Sequence, residues 1–466
     1  MEWEKLLSTE RFAGRGRDRE ESCRSDYDTI ICSTLFRRLQ DKAQVFPLEE
    51  DDYVRTRLTH SLEVSAIGKK LGEAVFGRMK AEKKDVWFES HWEKEFSDVL
   101  LCAGLVHDIG NPPFGHFGEY AMREWFQANL NSLTLGGKRV TELLSWGQIQ
   151  DLYHFEGNAQ SLRLLSKTPY LGEMRGFNLS CSVLATIMKY PISSEDLSDN
   201  NPRHYKKIGY NQAEKELFSG INEITGMEGR RHPLSYLLEA ADDIAYRTSD
   251  LEDAMVKKVL SLPKIIEGLH RYVREMKSSP EVKEQVRGCI RKLEDLYDEE
   301  LKTGGRKPEL TALQRWNQHM QKVMAADAVD RFVDNYSRIM DGTFSGDLFE
   351  GTVSGRIIEA IAALSEEKIY TSSVKIKTEL FGRRVIESLM DQFMPAAVKY
   401  DTEEPQTFIQ QRTMDIISGF YKSMYHAEAA GKSGRERLYL RILMVTDYIS
   451  GMTDSYARRL YKELFG

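Results

Sequence analysis

His107 and Asp108 are the residues whose types and spacing most directly indicate chemistry in this chain. They follow an apolar segment, residues 101–106, that predicts a helix, and they precede residues 110–115, whose glycines and prolines predict a turn. A neutral imidazole and a carboxylate are both good ligands for a divalent cation. The pair therefore indicates a metal site, although a His-Asp pair at a helix end also occurs as a purely structural contact.

A second pair of titratable residues, His116 and Glu119, follows the same turn. The turn returns the chain over the end of the preceding helix, so we expect both side chains to lie beside the first pair. A histidine and a carboxylate close to a metal ion are suited to general acid–base catalysis. These two residues are our candidates for proton transfer.

The segment 234–254 predicts a helix with two distinct faces. Asp242, Tyr246 and Asp250 recur at every fourth position, away from the apolar face. They form either a water-facing stripe or a metal ligand, a tyrosine and a second acid that line one cavity. Asp243, roughly a quarter turn away, is the alternative ligand. The apolar face, which we predict to be buried, comprises Leu237, Ala241, Ile244, Thr248 and Leu251.

Two further segments contribute histidine and basic residues. His60 lies near the start of a helix predicted from the apolar residues that begin at Leu58, and it falls off the predicted buried stripe. A histidine in that position is also typical of a surface or capping residue. Residues 202–210 form the most basic and aromatic loop of the chain, where Lys206 and Lys207 indicate either a solvated loop or a clamp for phosphate groups.

The composition indicates a mainly helical globular protein. Across 466 residues there are 12 prolines, and apolar residues recur at three- and four-residue spacing. The 65 basic and 72 acidic residues give a formal charge of −7, which argues against non-specific nucleic-acid binding but permits a local basic pocket. Five cysteines without a CxxC pair suggest neither a zinc–thiolate site nor a disulfide framework. Without a recognisable leader or membrane-spanning run, we expect a cytoplasmic protein.

The order of His60, the His107-Asp108 pair and Asp242 resembles that of the HD metal-dependent phosphohydrolases. Longer motifs narrow the resemblance to the bacterial deoxyguanosine triphosphate triphosphohydrolases, and they extend over nearly the whole chain. These motifs occupy residues 36–47, 57–61, 107–116, 155–160, 240–246 and 447–454.

The resemblance implies an all-α fold in which an HD-domain helical core carries a peripheral helical subdomain. Gly136-Gly137 additionally predicts a short β-hairpin. We predict the HD-domain catalytic core with an N-terminal arm at residues 1–260, and the peripheral helical region at residues 261–390. Residues 391–466 are predicted to form C-terminal helices that pack on the core and at subunit contacts.

The resemblance also implies metal-dependent hydrolysis of dGTP, or of other dNTPs, to the deoxynucleoside and inorganic tripolyphosphate, by water attack at the α-phosphorus. His116, assisted by Glu119, is the implied acid–base residue. We choose Asp242 over Asp243 as a metal ligand because family members keep the ligand four residues before the tyrosine that borders the sugar, here Tyr246. The implied ligands of the divalent ion, Mn²⁺ or Mg²⁺, are His60, His107, Asp108 and Asp242.

Substrate-binding residues are carried over in the same way. Arg57 is the first candidate for the α-phosphate, and several lysines and a tyrosine are further candidates for the phosphates. Three residues resemble those that face the deoxyribose, where an added 2′-hydroxyl would clash or lie unpaired. The phosphate candidates after Arg57 are Lys189, Tyr190, Lys206 and Lys207, and the sugar candidates are Gln44, Tyr246 and Asp250.

The resemblance further implies a homo-oligomer, either a hexamer or a tetramer, in which arginines of one copy reach the site of its neighbour. Arg435, Arg437 and Arg441 are the candidates for that role. Single-stranded DNA or a second nucleotide is a candidate effector, and no membrane partner is expected. Two other functions stay open: a phosphodiesterase or pyrophosphohydrolase acting on a signalling nucleotide, and a nucleotide- or DNA-responsive regulatory protein.

Overall fold

The computed structural model describes residues 1–12, 19–48, 51–169, 176–197 and 205–466. These residues form helices joined mostly by short turns, together with a single two-stranded antiparallel sheet. The predicted all-α fold is therefore confirmed. Residues 202–204, which belong to the predicted basic loop, lie outside the described residues.

The first half of the chain supplies most of the residues singled out by their chemistry. Its helices are α1 (Trp3–Leu6), α2 (Arg19–Cys32), α3 (Thr34–Arg38), α4 (Arg57–Ala81), α5 (Trp87–Ser90), α6 (Glu93–Val106), α7 (His116–Asn129), α8 (Val140–Leu143), α9 (Trp146–Tyr153), α10 (Gly157–Lys167), α11 (Cys181–Ile187) and α12 (Lys215–Thr225). The strands β1 (Thr134–Leu135) and β2 (Lys138–Arg139) lie between α7 and α8.

The second half begins with one of the longest helices and continues as a series of amphipathic helices. They are α13 (Pro233–Val256), α14 (Leu262–Glu275), α15 (Pro280–Thr303), α16 (Pro308–Asp334), α17 (Tyr336–Met340), α18 (Val353–Leu364), α19 (Ser373–Lys399), α20 (Phe408–Ile416), α21 (Gly419–Ala429), α22 (Gly434–Ser450) and α23 (Asp454–Phe465). A single π-helical turn, Ser365–Ile369, extends α18.

Helices α4, α6 and α13 pack against one another and carry the predicted metal ligands or end beside them. A Cβ atom on Gly104 in α6 would lie 2.6 Å from the Cα of Ser65 in α4, so only glycine allows this approach of the two helices. The predicted apolar face of α13 is buried along its whole length. Burying a large apolar side chain contributes roughly 1.5–3 kcal/mol, which fixes the rotation of α13 about its axis. In that orientation Asp242 of α13 reaches His60 of α4.

The buried apolar residues form two groups. The larger group joins α4, α6 and α11 with α13–α18, and it also includes Trp3 of the N-terminal segment. The smaller group joins α7 with α19 and the C-terminal helices α21–α23. Ile109 belongs to the first group and Phe114 to the second, so the turn after the His107-Asp108 pair lies where the two groups meet.

The predicted β-hairpin is confirmed. Thr134 pairs with Arg139 and Leu135 with Lys138, and the two glycines between the strands have φ angles of 59° and 76°. Positive φ at both central positions is the requirement of a tight hairpin turn that matches the twist of the strands. None of the described helices combines the length and apolar character needed to cross a membrane.

Candidate metal centre and active site

The turn between α6 and α7 positions the first titratable pairs. His107 follows the last residue of α6, and His116 is the first residue of α7. Gly115 has a φ of +64°, and a Cβ atom there would lie 2.9 Å from the Nη2 of Arg57. The turn therefore needs glycine both for its backbone conformation and for the close approach of the arginine.

His60, His107 and Asp242 converge below this turn. Among the described residues, their candidate donor atoms all lie within 4.8 Å of one another. The Nε2 of His60 is 3.0 Å from Oδ1 of Asp242, and the Nε2 of His107 is 3.8 Å from the same oxygen. Helices α4 and α13 each supply one candidate ligand and the end of α6 supplies another, so the packing of three helices determines the geometry of the group.

The donor set fits a divalent cation. The Nδ1–H of His107 donates to the carbonyl oxygen of Gly104 at 2.8 Å, so in the neutral form of the ring, the form that binds a metal, the lone pair lies on Nε2. This buried Nε2 has no hydrogen-bond partner in the described part of the chain. A metal-binding histidine commonly donates its other ring N–H to a backbone carbonyl in this way.

Asp108 lies beside this group, and two neighbours hold its carboxylate. Its Oδ1 is 3.7 Å from the Nε2 of His107 and accepts a hydrogen bond from the Nδ2 of Asn111 at 2.6 Å. Arg57 donates to its Oδ2. Burial raises the pKa of Asp108, but the charges of Arg57 and of the nearby histidines outweigh burial and hold that pKa well below its usual range. Asp108 is therefore ionised, which is the form that binds a cation.

His116 and Glu119 form the second pair, at the mouth of the site. The Nδ1 of His116 lies 3.2 Å from Oε2 of Glu119, and the backbone N–H of Gly157 donates to Oε1 of Glu119 at 2.9 Å. The His116 side chain is 71% exposed, whereas that of Glu119 is 3% exposed. Burial raises the pKa of Glu119, but the hydrogen bond from His116 and neighbouring positive charges lower it overall. An ionised, fixed carboxylate can orient and charge-stabilise the imidazole.

A cavity of about 340 Å³ opens above the ligands, a size within the range of small-molecule sites. Of the predicted residues, Lys206 is exposed and does not line it, while His60 is buried beneath it. The predicted residues that line the cavity are Gln44, Arg57, His107, Asp108, His116, Glu119, Lys189, Tyr190, Lys207, Asp242 and Tyr246.

One end of the cavity is closed by a chain of hydroxyl groups. The hydroxyls of Tyr246 and Tyr370 lie 2.6 Å apart, and the hydroxyl of Tyr370 donates to Oδ2 of Asp250 at 2.8 Å. Asp250 does not itself line the cavity, because Tyr370 stands between its carboxylate and the open space. Tyr246 and Tyr370 thus present hydroxyls and ring faces to a ligand, and Asp250 orients them from behind.

The burial of His60 differs from the sequence prediction. The apolar spacing of its helix places His60 off the buried stripe, yet the residue is 0% exposed. Helix α13 covers that side of α4, and Asp242 offers the buried imidazole a polar partner. The spacing of apolar residues within one helix cannot reveal that a second helix covers its polar face.

Several lining residues were missed by the sequence analysis. Asn111, Glu156 and Asn158 fall inside the recognised motifs, so their place in those motifs was the available signal. Glu239 immediately precedes another motif. Tyr370 follows the π-helical turn in the predicted peripheral region, and nothing in the local sequence connects it to the site.

The three C-terminal arginines lie away from the cavity lining within this chain. Arg435 donates to the carbonyl oxygen of Leu143 at 3.0 Å, and Arg437 pairs with Asp401 at 2.6 Å. Arg441 is buried, and its Nε has no hydrogen-bond partner in the described part of the chain.

Comparisons with known proteins agree with this arrangement. Residues 57–146 match the HD domain family. The chain is 39% identical to the deoxyguanosinetriphosphate triphosphohydrolase-like protein of Listeria innocua over 100% of both chains. It is 32% identical to a protein of the same name from Synechocystis, over 100% of this chain and 99% of the relative. It is also 31% identical to the deoxyguanosinetriphosphate triphosphohydrolase of Yersinia enterocolitica, over 94% of this chain and 93% of the relative.

Proposed function

Because this chain belongs to the deoxyguanosinetriphosphate triphosphohydrolase family of HD-domain hydrolases, we propose that it hydrolyses dGTP to deoxyguanosine and inorganic tripolyphosphate by water attack at the α-phosphorus. Other dNTPs are further candidate substrates. The observation that carries the proposal is that one cavity is lined by His107 and Asp242, by the His116–Glu119 pair and by basic side chains.

The metal site of the proposal comprises His60, His107 and Asp242, with Asp108 as the fourth ligand once it exchanges part of its contact with Arg57. These residues would hold a divalent cation, Mn²⁺ or Mg²⁺, which would lower the pKa of a coordinated water and polarise a phosphoryl oxygen. Imidazole and carboxylate ligands leave the choice between these two metals to be measured.

His116 is the proposed general acid–base residue. Its exposed ring reaches the cavity, and Glu119 holds its Nδ1 side, so Nε2 faces the reacting groups. In that orientation, His116 transfers a proton to the leaving deoxynucleoside oxygen or takes one from water. Such groups typically contribute about 10² to 10⁴ in rate.

The charge of the triphosphate is met by the basic residues of the cavity. Arg57 lies next to Asp108 and is therefore closest to the proposed position of the α-phosphate. Lys189 and Lys207 line the same cavity and are proposed to bind the remaining phosphates, with Tyr190 between them in the chain. Lys206 is left as a weaker candidate because it is exposed in this conformation.

Sugar selection is assigned to the hydroxyl-lined end of the cavity. Tyr246 and Tyr370, oriented by Asp250, are proposed to pack against C2′ and to hydrogen-bond the 3′-hydroxyl together with Gln44. A ribonucleotide would then place its 2′-hydroxyl against the tyrosine ring, where it clashes or stays unpaired. Leaving a buried polar group unpaired costs about 1–3 kcal/mol.

Assembly into a homo-oligomer and stimulation by single-stranded DNA belong to the same proposal, and the family resemblance supports them. Light scattering of the purified protein tests the first, and activity with and without added DNA tests the second.

Product analysis with each of the four dNTPs and with GTP, with and without Mn²⁺ or Mg²⁺, tests the reaction itself. We expect metal-dependent release of tripolyphosphate and deoxyguanosine from dGTP and none from GTP. Release of pyrophosphate or a monophosphate would instead support the signalling-nucleotide function. No product from any nucleotide, with either metal, would support the regulatory one.

A further inference from the structure

Each of the two lysines that line the cavity belongs to a cluster in which one glutamate pairs with a lysine and an arginine. The Nζ of Lys207 lies 3.2 Å from Oε1 of Glu156, and the Nη2 of Arg123 lies 2.8 Å from Oε2 of the same glutamate. In the second cluster, Lys189 pairs with Oε1 of Glu239, whose Oε2 lies 2.7 Å from the Nη2 of Arg231. In both clusters one carboxylate holds a lysine with one oxygen and an arginine with the other.

In each cluster the lysine and the glutamate come from separate parts of the fold. Glu156 precedes α10 and Arg123 lies on α7, whereas Lys207 lies in the segment before α12. Glu239 lies on α13, while Lys189 follows α11. Local sequence therefore explains neither cluster. Each glutamate joins a short irregular segment, which carries the lysine, to a helix of the core.

The burial of these groups makes their pairing energetically important. The Glu156 and Glu239 side chains are 2% and 15% exposed, and both line the cavity. An unpaired glutamate there would repel a triphosphate and would carry a large desolvation penalty. The arginine offsets that charge in each cluster, and Arg123 also lies 3.7 Å from Oε2 of Glu119.

We propose that Glu156 and Glu239 are positioning residues for the reaction: each holds its lysine, Lys207 or Lys189, in the orientation that binds the triphosphate of the substrate. The inference rests on the proposed function, because it assigns the lysines to phosphate binding. A lysine side chain has many rotamers, and a fixed partner reduces the conformational entropy that is lost when the phosphate binds.

The charge state of the lysines agrees with this arrangement. Burial lowers the pKa of Lys189, but Glu239 outweighs it and raises that pKa above its ordinary value. The pKa of Lys207 is raised in the same way, with Glu156 outweighing burial. Both lysines therefore stay charged for an anionic ligand.

Double-mutant cycles test the assignment of each glutamate to its own lysine. With dGTP and Mn²⁺, we expect Glu156→Gln to lower kcat/KM about tenfold in the wild-type background but less than about twofold in the Lys207→Met background. In the Lys189→Met background it should keep its full effect of about tenfold. Glu239→Gln should show the mirror pattern, losing its effect with Lys189→Met and keeping it with Lys207→Met.

The binding of inorganic tripolyphosphate, measured by calorimetry, supplies a second readout. Removing a carboxylate makes the cavity more positive, and this added attraction offsets the loss of a fixed Lys207. Glu156→Gln should therefore bind tripolyphosphate as tightly as the wild type or more tightly while kcat falls. A purely structural role would weaken binding and rate together and would give the same effect in every background. Glu463→Gln, which removes an exposed glutamate 3.9 Å from Arg459, is the matched control and should change neither quantity.

The proposal would be overturned if each glutamate substitution lowered kcat/KM by the same factor in every background. A shift in the pH profile of kcat with Glu156→Gln would do so as well, because it would mean that Glu156 acts through Arg123 on Glu119 and His116. If Glu156→Gln does not fold, the Glu239 cycle decides; if neither glutamine variant folds while both lysine variants do, the glutamates are structural. Wild-type protein that releases no tripolyphosphate removes the proposed function and this inference together, whereas an active wild type with multiplicative cycles removes this inference alone.

Discussion

Asp242 and Asp250 lie two turns apart on α13, yet they occupy opposite electrostatic environments. Asp242 faces the histidines of the metal centre. Burial raises the pKa of its carboxyl, but the hydrogen bond from His60 and the charge of His107 lower it to about 2. Asp250 faces tyrosine hydroxyls, and burial raises the pKa of its carboxyl to about 7, which the hydrogen bond from Tyr370 only partly offsets.

The difference matches the two tasks that we propose for this helix, metal binding and sugar selection. The proposed metal end, where Asp242 meets His60, His107 and Asp108, keeps Asp242 and Asp108 ionised, which is the state that attracts a cation. The proposed sugar end, which comprises Tyr246, Tyr370 and Asp250, gives its carboxyl a hydroxyl as its hydrogen-bond partner, and burial outweighs the charges of Arg247 and Lys375. Substitutions at the metal end should therefore abolish the reaction, whereas substitutions at the sugar end should change selectivity or pH dependence.

The largest expected effect follows from removing a ligand. Asp242→Asn should lower bound metal to background and reduce activity by about a thousandfold or more, equivalent to about 4 kcal/mol of transition-state stabilisation. Metal content measured by elemental analysis, together with tripolyphosphate release, checks this result. The neighbouring Asp243→Asn should keep its metal, because Asp243 lies 3.7 Å from Arg247 and is not one of the converging donors. Metal loss in Asp243→Asn but not in Asp242→Asn would reverse the ligand assignment.

Next in size is the loss of the acid–base residue. His116→Ala should keep its bound metal and lower kcat by about a hundredfold, the lower end of general acid–base contributions, because the exposed ring can be partly replaced by water. Single-turnover rates and metal content checked on the same preparation separate this role from metal binding. Wild-type turnover in His116→Ala would remove His116 from the mechanism.

Sequence alone predicted the metal end better than the sugar end. The residues of the metal end lie in compact motifs on helices whose apolar periods are clear, so their identities could be named. Their convergence could not be derived from periodicity, and His60 was expected off the buried stripe because the covering helix α13 is distant in sequence. The fold class and the hairpin followed from composition, helical spacing and Gly136-Gly137.

The sequence did not predict the cavity residues whose contacts are with residues distant in the chain. Tyr370 reaches the cavity from 120 positions beyond Asp250, and Glu239 matters through its contacts with Lys189 and Arg231. Residues in such pairs have ordinary local sequence, so only the folded chain reveals them. The division into regions 1–260, 261–390 and 391–466 stays a prediction.

At the sugar end, Tyr370→Phe should lower the ratio of kcat/KM for dGTP to that for GTP by about tenfold. Phenylalanine cannot donate to Asp250, so the buried carboxyl loses its hydroxyl partner and Tyr246 loses its own contact. Tyr272→Phe is the matched control, because the Tyr272 hydroxyl donates to the side chain of Glu359 at 2.6 Å, away from the cavity lining. An unchanged ratio would move sugar selection to other residues.

The smallest expected effect is a pH dependence of stability that belongs to Asp250. Its pKa is about 7 in the folded protein and about 3.9 in the unfolded chain, so between these values the folded state binds more protons. Stability from this group is therefore lost as pH rises from about 4 to about 7, and Asp250→Asn removes that loss. Between pH 6 and pH 8, the variant should gain about 1 kcal/mol over the wild type, which for a chain of this length is about 1 °C in Tm. Thermal unfolding at the two pH values measures this gain, with the exposed Asp415→Asn as control. An equal difference in Tm at both pH values would show that Asp250 is ionised in the folded protein, and the two ends of α13 would then have the same electrostatic character.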